Sequence, residues 1–416
     1  MGVKILSLFD GMACGMIAMQ LSGVKVESYD AYEIDKYAIK TAQHNFPMII
    51  EHGDVFDADF TQYEGVDFLV GGSPCTYWSI AQTKNRETVA SGMGWELFSQ
   101  YVRALHEAKP KYFIYENNKS MSKQIRASID DAFGFEAVLI NSALVSAQNR
   151  QRLYWVGKRN ADGTYSKVNV EQPADRGILL KDVLHSAVAM REKAHAVIAS
   201  AGRTTEREFF TKNQGNMAAE PINTDTNGKS FCVTARYYKG FGNNPGKCLE
   251  KHRDSMIAEP INVTADGKAK TISASYAYKG DGEGSLKSEL FPDNPIKQTS
   301  NYVAEPVKVG YVGHAIEFDD DGKPIKAIGK DGKEINVYEV KDGKITIKGK
   351  QYPIKLKDGY YIIRKLAVSE CKRLQTVPEW YEFPVSNSQA YKMLGNGWTC
   401  EVISHLIRSC MAEQWG

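Results

Sequence analysis

Cys75 stands in Gly71-Gly72-Ser73-Pro74-Cys75, directly after the apolar run Phe68-Leu69-Val70. A lone cysteine in a folded chain is ordinarily an inert core hydrophobe. The glycines and proline around this one specify a turn of set shape at the carboxyl end of a strand, which presents a thiol able to act as a nucleophile. Glu116-Asn117 ends a second apolar run, Tyr112 to Tyr115. A carboxylate in that place can share a proton with a bound group; the competing reading is a helix-capping acid. Gln148-Asn149-Arg150-Gln151-Arg152 precedes the apolar run Leu153 to Val156. Alternation along a strand puts Arg150 and Arg152 on one face, where they could orient a carboxylate or hold a phosphate. Further upstream, Phe9-Asp10-Gly11-Met12-Ala13-Cys14-Gly15 has small residues where backbone must approach a ligand closely, a nucleotide-type cradle. Glu33 could then accept from a ribose diol and Asp54, after Gly53, from an adenine amino group. Singly, each acid reads more readily as solvated surface than as a ligand. A cradle followed by an acid about 20 residues on is the order of a dinucleotide or adenosyl site.

These residues need elements to hold them. Val3 to Phe9, Val26 to Tyr32, Asp67 to Val70 and Tyr112 to Tyr115 read as strands, alternating with helix-compatible runs at Gly11 to Leu21, Asp35 to Asn45 and Trp95 to Ala108. Such alternation predicts an α/β fold with a parallel sheet covered by helices on both faces. Ligands of such sheets bind beyond the carboxyl ends of the strands, where Asp10, Glu33, Cys75 and Glu116 fall. From about 160 to 365 the pattern changes to short β-rich pieces with Asp-Gly pairs at 162, 266, 321, 331, 342 and 358, as in an irregular β domain. Helical periodicity returns at Ser369 to Thr376 and Thr399 to Met411. The expected organisation is a catalytic and cofactor-binding domain over 1–160, a target-recognition domain over 161–384, and a segment over 385–416 that rejoins the first domain.

The chain has 416 residues, 43% hydrophobic and 25% charged, with a formal charge of +2. That composition excludes wholesale disorder, collagen-like repeats and coiled coil. No apolar run reaches the roughly 18 residues of a membrane span, and the amino terminus does not read as a secretory signal. The seven cysteines contain no C-x-x-C pair, so neither a zinc ribbon nor a disulfide framework is indicated. A cytoplasmic monomer with reduced thiols, no metal and no membrane partner is expected. The small positive excess of residues 161–365 suits a polyanion partner and suits a solvated lysine-rich surface equally well.

Taken in order, the motifs resemble those of the C5-cytosine DNA methyltransferases. Phe9 through Gly15 is similar to that family's first motif, Gly72-Ser73-Pro74-Cys75 to its Pro-Cys loop, Glu116-Asn117 to its Glu-Asn-Val, and Gln148-x-Arg150-x-Arg152 to its Gln-x-Arg-x-Arg. Arg373-Leu374-Gln375 and the run from Gln389-x-Tyr391-Lys392 to Gly395-Asn396-Gly397 resemble the two closing elements. Asn118 stands where the family usually has Val, and Gly397 where it usually has Ser or Ala. The resemblance implies a Rossmann-like methyltransferase sheet with a smaller β-rich target-recognition domain, S-adenosyl-L-methionine as cofactor and double-stranded DNA as partner. By the same resemblance Cys75 attacks carbon 6 of a flipped cytosine, Glu116 holds its N3 and amino edge, and Arg150 and Arg152 complete the catalytic set. The cofactor is assigned to Phe9, Asp10, Gly11, Ala13, Gly15, Glu33, Ile34, Asp54, Pro74 and Asn396. Contacts to DNA are assigned to Ser73, Ser79, Asn117 and Gln148.

An internal repeat lies in the middle: Ala-Glu-Pro-Ile-Asn at 219–223 and at 258–262, each followed by a turn and a Tyr/Lys-bearing strand. It reads either as duplicated scaffold or as paired loops facing DNA through Arg236, Tyr237, Lys239, Tyr276 and Lys279. Three other functions compete: an RNA cytosine methyltransferase on the same fold, a catalytically silent DNA-binding module, and a small-molecule methyltransferase. The intact Cys75, Glu116 and Arg152 disfavour the second, and the long turn-rich middle disfavours the third.

Overall fold

The computed structural model describes residues 2–79, 86–185, 187–213, 215–221, 259–260, 302–303, 315–318, 324–328, 333–347 and 349–412. The chain divides into two compact units, one formed by Met1–Val183, Arg191–Asn216 and Lys365–Gly416, the other by Leu184–Met190 and Met217–Arg364. The seams thus fall near 183 and 364, where the sequence placed them at 160 and 384. Residues 165–167 stay with the first unit because they add a strand to its sheet.

In the first unit the elements follow as β1 (Val3–Leu8), α1 (Cys14–Leu21), β2 (Val26–Tyr32), α2 (Lys36–Asn45), β3 (Ile50–Glu51), β4 (Phe68–Gly71), α3 (Met93–Ala108), β5 (Tyr112–Asn118), α4 (Lys123–Phe133), β6 (Val138–Asn141), β7 (Gln148–Asn149), β8 (Gln151–Arg159) and β9 (Tyr165–Lys167). Three helices close the chain: α5 (Val368–Leu374), α6 (Asn387–Asn396) and α7 (Cys400–Ala412). The sheet order is β3-β2-β1-β4-β5-β8-β6, with β9 paired to β8. β1 to β5 pair in parallel, joined through helices or long connections. β8 runs antiparallel to both β5 and β6, so the sheet is mixed rather than all parallel. No helix longer than a single turn separates β6 from β8. A parallel return needs a crossover of a dozen residues or more, usually a helix, so this short link favours reversal.

The sheet is covered on both sides because its strands alternate apolar residues on both faces. Leu6, Leu8, Leu69, Phe113, Tyr115, Leu153 and Trp155 join Phe98, Tyr101 and Leu105 of α3 and Ile125, Ile129 and Phe133 of α4 in one buried cluster. Val70, next to Leu69 and therefore on the opposite face, packs against α1 at Gly15, where a Cβ would lie 3.4 Å from it. Each such fully buried aliphatic or aromatic side chain contributes about 1.5–3 kcal/mol. Asp35 and Ser122 cap α2 and α4 by accepting from Tyr37 N and Ile125 N.

The second unit carries a sheet that includes Met217–Pro221, Gly359–Lys365, Glu334–Lys341, Pro324–Ile328 and Ala315–Phe318, the last four pairing antiparallel in that order. Lys344–Ile347 returns from Glu334–Lys341 across Asp342-Gly343, both with positive φ at 52° and 65°. That is the geometry an Asp-Gly hairpin turn requires. Glu220 and Arg364 pair across this sheet. The first repeat copy begins in the strand Met217–Pro221, and Glu259–Pro260 of the second copy pairs with Tyr302–Val303. Arg236, Tyr237, Lys239, Tyr276 and Lys279 lie outside the described residues. No helix among the described residues is long and apolar enough to cross a membrane.

Candidate active site

Beyond the carboxyl ends of β1, β2, β4 and β5 lies a cavity of about 190 Å³, open to solvent. Phe9, Asp10, Gly11, Glu33 and Asp35 form one part of its wall, Ser73, Pro74, Cys75 and Glu116 another, and Asn396, Gly397 and Trp398 a third. The cradle is wound tightly: Phe9, Gly11 and Ala13 all have positive φ, at 58°, 62° and 59°. For Phe and Ala this conformation is costly, on the order of 1–2 kcal/mol each. Strain of this kind persists where the surroundings enforce it, typically around a ligand. At Gly11 a Cβ would meet nothing within 4 Å, so the backbone there faces open space.

Glu33 is held rigidly. Its Oε2 accepts from Gly11 N at 2.8 Å and its Oε1 from Ile34 N and Asp35 N, each at 2.8 Å. Asp35 pairs with Lys392 of α6 at 2.7 Å. Asp10 turns inward: Oδ1 accepts from Ser7 Oγ and Tyr29 Oη, both at 2.5 Å, while Oδ2 has no hydrogen-bond partner among the described residues. Burial pushes its carboxyl up to about 6, against the pull of those two hydroxyls, and the charge of Glu33 adds to the rise. Glu51, whose two buried oxygens have no hydrogen-bond partner among the described residues, is pushed up to about 8 by burial and then by Asp10 and Glu33. Asp10, Glu33 and Asp35 line the same part of the cavity, and acids gathered there suit a cationic ligand.

A pH dependence follows for the ligand-free protein. With its folded value raised from 4.5 to about 8, Glu51 contributes stability that is complete below pH 4.5 and is lost as pH rises through about 8. The thermal midpoint should therefore fall between pH 6 and 9. Glu51→Gln should remove most of that slope and raise the midpoint at pH 9 by a few degrees. Calorimetry of both proteins across this range decides it, and equal slopes would refute the assignment.

Cys75 opens a tight turn closed by Trp78 N and Ser79 N, which donate to its carbonyl at 3.2 and 2.9 Å. Among the described residues Cys14, Cys371, Cys400 and Cys410 are buried, whereas Cys75 is half-buried against the cavity. Burial, then the charge of Glu116, pushes its thiol above the ordinary value, and Arg152 and Arg150 oppose that rise. Glu116 Oε1 pairs with Arg152 Nε at 3.0 Å. At Gly72 a Cβ would lie 2.7 Å from Glu116 O and 3.1 Å from Oε2, so glycine there lets the carboxylate close on the Pro-Cys loop. Ser73 Oγ and Tyr115 Oη are 2.6 Å apart, which fixes the floor of that loop.

Several assigned residues do other work. Arg150 does not share a task with Arg152: its buried guanidinium donates to Val197 O at 2.9 Å, to Gly395 O at 3.2 Å and to Gly397 O at 2.8 Å. Arg150 lies between β7 and β8, so strict alternation does not reach it. Gln148 is 0% exposed; its amide donates to Gln375 Oε1 at 2.9 Å and accepts from Val197 N at 3.0 Å, which leaves nothing for DNA. Asn117 is also buried, donating to Ser73 O and Tyr115 Oη, both at 3.2 Å. Gly15 serves packing, since a Cβ would lie 2.6 Å from Tyr29 Oη. Ala13 is buried, Ile34 is 73% exposed and Asp54 caps a turn by accepting from Phe56 N at 3.0 Å; none of the three lines the cavity. The two departures from the motif also find causes. Asn118 donates to Cys75 O at 3.5 Å, a polar tie to the loop that valine lacks. A side chain at Gly397 would meet Cys14 Sγ and Met393 O, each at 3.0 Å.

Residues 3–412 match the model of the C-5 cytosine-specific DNA methylases. The chain belongs to that family. This methylase is 26% identical over 460 aligned positions to the orphan methyltransferase M.SPRI of Bacillus phage SPR, covering 98% of this chain and 97% of that one. It is 30% identical to the type II methyltransferase M1.ScrFI of Lactococcus lactis subsp. cremoris over 57% of this chain and 62% of the relative. The crystal structure of a Spodoptera frugiperda DNMT2 mutant superposes with a TM-score of 0.52 at 15% identity, covering 99% of this chain and all of that one, a likeness of fold. In the methylase the structure also brings in residues to which the sequence assigned no role. Trp398 lines the cavity, Tyr381 Oη donates to Met12 O at 2.6 Å, and Lys392 pairs with Asp35. Lys392 lay within a quoted motif; Tyr381 and Trp398 carry no spacing signal, because chain segments more than 280 residues apart bring them to the cradle and to Glu116. Among the described residues no cluster of three His, Cys, Asp or Glu could hold a metal.

Proposed function

We propose that this cytosine C5 methylase modifies duplex DNA, with S-adenosyl-L-methionine as methyl donor and Cys75 as covalent nucleophile. The observation that carries the reading is a single cavity walled by the strained, acid-lined cradle on one side and by Cys75 and Glu116, with Arg152 behind it, on the other. When bound, the cofactor supplies an electrophilic methyl on a sulfonium. Phe9, Asp10, Gly11, Glu33 and Asn396 would hold it, with Glu33 accepting from its ribose diol.

Carbon 5 of cytosine is a poor nucleophile. Addition of the Cys75 thiolate at carbon 6 makes the ring enamine-like, while Glu116 holds the N3 and amino edge and Arg152 keeps Glu116 in place. Carbon 5 then takes the methyl, the donor leaving as a neutral thioether, and loss of the carbon 5 proton to solvent re-forms the double bond and expels Cys75 as the thiolate. A paired base cannot reach this cavity, so the cytosine must be flipped; Ser73 and Pro74 would line its pocket and Ser79 would touch the backbone. The unit Leu184–Met190 with Met217–Arg364 is proposed as the target reader, acting in the cytoplasm as part of a monomer. The relatives' names, an orphan phage methyltransferase and a type II methyltransferase, support DNA as the target.

Plasmid recovered from a methylation-free host expressing the protein should contain sites that resist bisulfite conversion. A parallel incubation of duplex DNA, tRNA and free nucleotides with labelled cofactor should label the duplex. Fully convertible plasmid, or label confined to tRNA, would refute the DNA reading.

A further inference from the structure

Trp398 lies between α6 and α7, and its side chain is part of the cavity wall. Its indole Nε1–H donates to Glu116 Oε2 at 3.1 Å, while Arg152 Nε holds Glu116 Oε1 at 3.0 Å. Each oxygen of the carboxylate thus has one protein donor, and each keeps lone-pair capacity for another. A carboxylate held at one oxygen can pivot; held at both, its plane is set.

The anchor itself is immobilised. The Trp398 carbonyl lies 3.9 Å from the thiols of Cys14 and Cys400, placed to accept from both. The preceding carbonyl, Gly397 O, accepts from Arg150 at 2.8 Å and Gln375 at 3.3 Å. Arg150 and Gln375, buried and far apart in sequence, therefore converge on the turn that aims the indole. This also gives the Arg150 guanidinium a link to the chemistry although it faces away from Glu116.

We propose that Trp398 is a positioning residue for Glu116: its indole N–H sets the plane of the carboxylate that must meet the N3 and amino edge of cytosine. The proposal rests on the roles given above to Cys75 and Glu116. One oxygen must accept from the amino group while the other shares a proton with N3 of the same flat ring, so a tilt of the carboxylate costs alignment at both.

The test uses the full-length protein and a duplex bearing 5-fluorocytosine at a site mapped by bisulfite sequencing, with S-adenosylmethionine present. Fluorine does not leave as a proton does, so the Cys75 adduct accumulates and its rate of formation is read directly. Trp398→Phe keeps a ring and loses the donor. It should slow trapping and kcat by about tenfold to a hundredfold, with the KM for cofactor within about threefold of wild type. In a Glu116→Gln background the same substitution should cost no further rate, because the partner whose plane it sets is gone. Trp398→His, which restores a ring N–H, should trap faster than Trp398→Ala. Wild-type trapping by Trp398→Phe, a loss confined to KM, a full additional loss in the Glu116→Gln background, or equal rates for the His and Ala variants would each overturn the proposal. Should Trp398→Phe fail to fold, the comparison of His with Ala carries the test. Absence of any adduct in the wild type would instead overturn the nucleophile assignment, and this proposal with it.

Discussion

Replacing Cys75 by serine should lower methyl transfer at least about a thousandfold while leaving the fold and cofactor binding in place. The residue is half-buried and lines the cavity. Serine is nearly isosteric, but its hydroxyl is a far weaker nucleophile toward carbon 6. The thiol also predicts a pH signature. Burial and the charge of Glu116 push Cys75 above the ordinary thiol value, so the thiolate fraction in the free protein is small near neutrality and grows with pH. Alkylation of Cys75 by iodoacetamide, followed by mass spectrometry, should accelerate continuously from pH 7 to beyond pH 9. Flipped DNA would have to remove the proton or stabilise the thiolate for turnover at neutral pH. Normal turnover by the serine variant, or an alkylation rate already level at pH 8, would contradict the assignment.

The second large effect separates two arginines that share one motif. Arg150 is buried and donates to three backbone carbonyls drawn from the segments around Val197 and Gly395 to Gly397. Burial, together with Arg152, lowers its guanidinium only to about 10, so it remains charged at neutral pH. Arg150→Met should cost about 3 kcal/mol or more, because it takes the guanidinium donor from Val197 O and Gly395 O, and a buried carbonyl that loses its donor costs about 1–3 kcal/mol. The thermal midpoint should fall by roughly 10 °C. Arg152 pairs with Glu116 at 3.0 Å at the cavity, and Arg152→Gln should leave the midpoint within about 2 °C while lowering turnover roughly tenfold to a hundredfold. Thermal unfolding and single-turnover kinetics on both variants check this. A stable Arg150→Met, or an Arg152→Gln with wild-type turnover, would show that the division of labour is drawn wrongly.

That division marks the limit of what sequence order conveys. The alternation of strands and helices, the cradle, the acid at 33, the turn around Cys75 and the Asp-Gly hairpin at 342 are local: each depends on residues within a few positions, and each forms as the sequence implies. So is the loop of the proposed nucleophile Cys75, since the glycines and proline that shape it are its neighbours. What tertiary structure alone decided is which polar groups face inward to protein and which face the cavity. Gln148, Asn117 and Arg150 carry motif spacing, yet their donors and acceptors are consumed by Gln375, by Ser73 and Tyr115, and by Gly395 and Gly397. A buried polar group must find partners, and here most of those partners lie tens to hundreds of residues away. The reversal of β8 belongs to the same class, because strand direction depends on the length of a connection and on which edge is free. Trp398 shows the point most plainly: its hydrogen bond to Glu116 spans 282 positions, and it exists because the closing helices return to the sheet where the chain began.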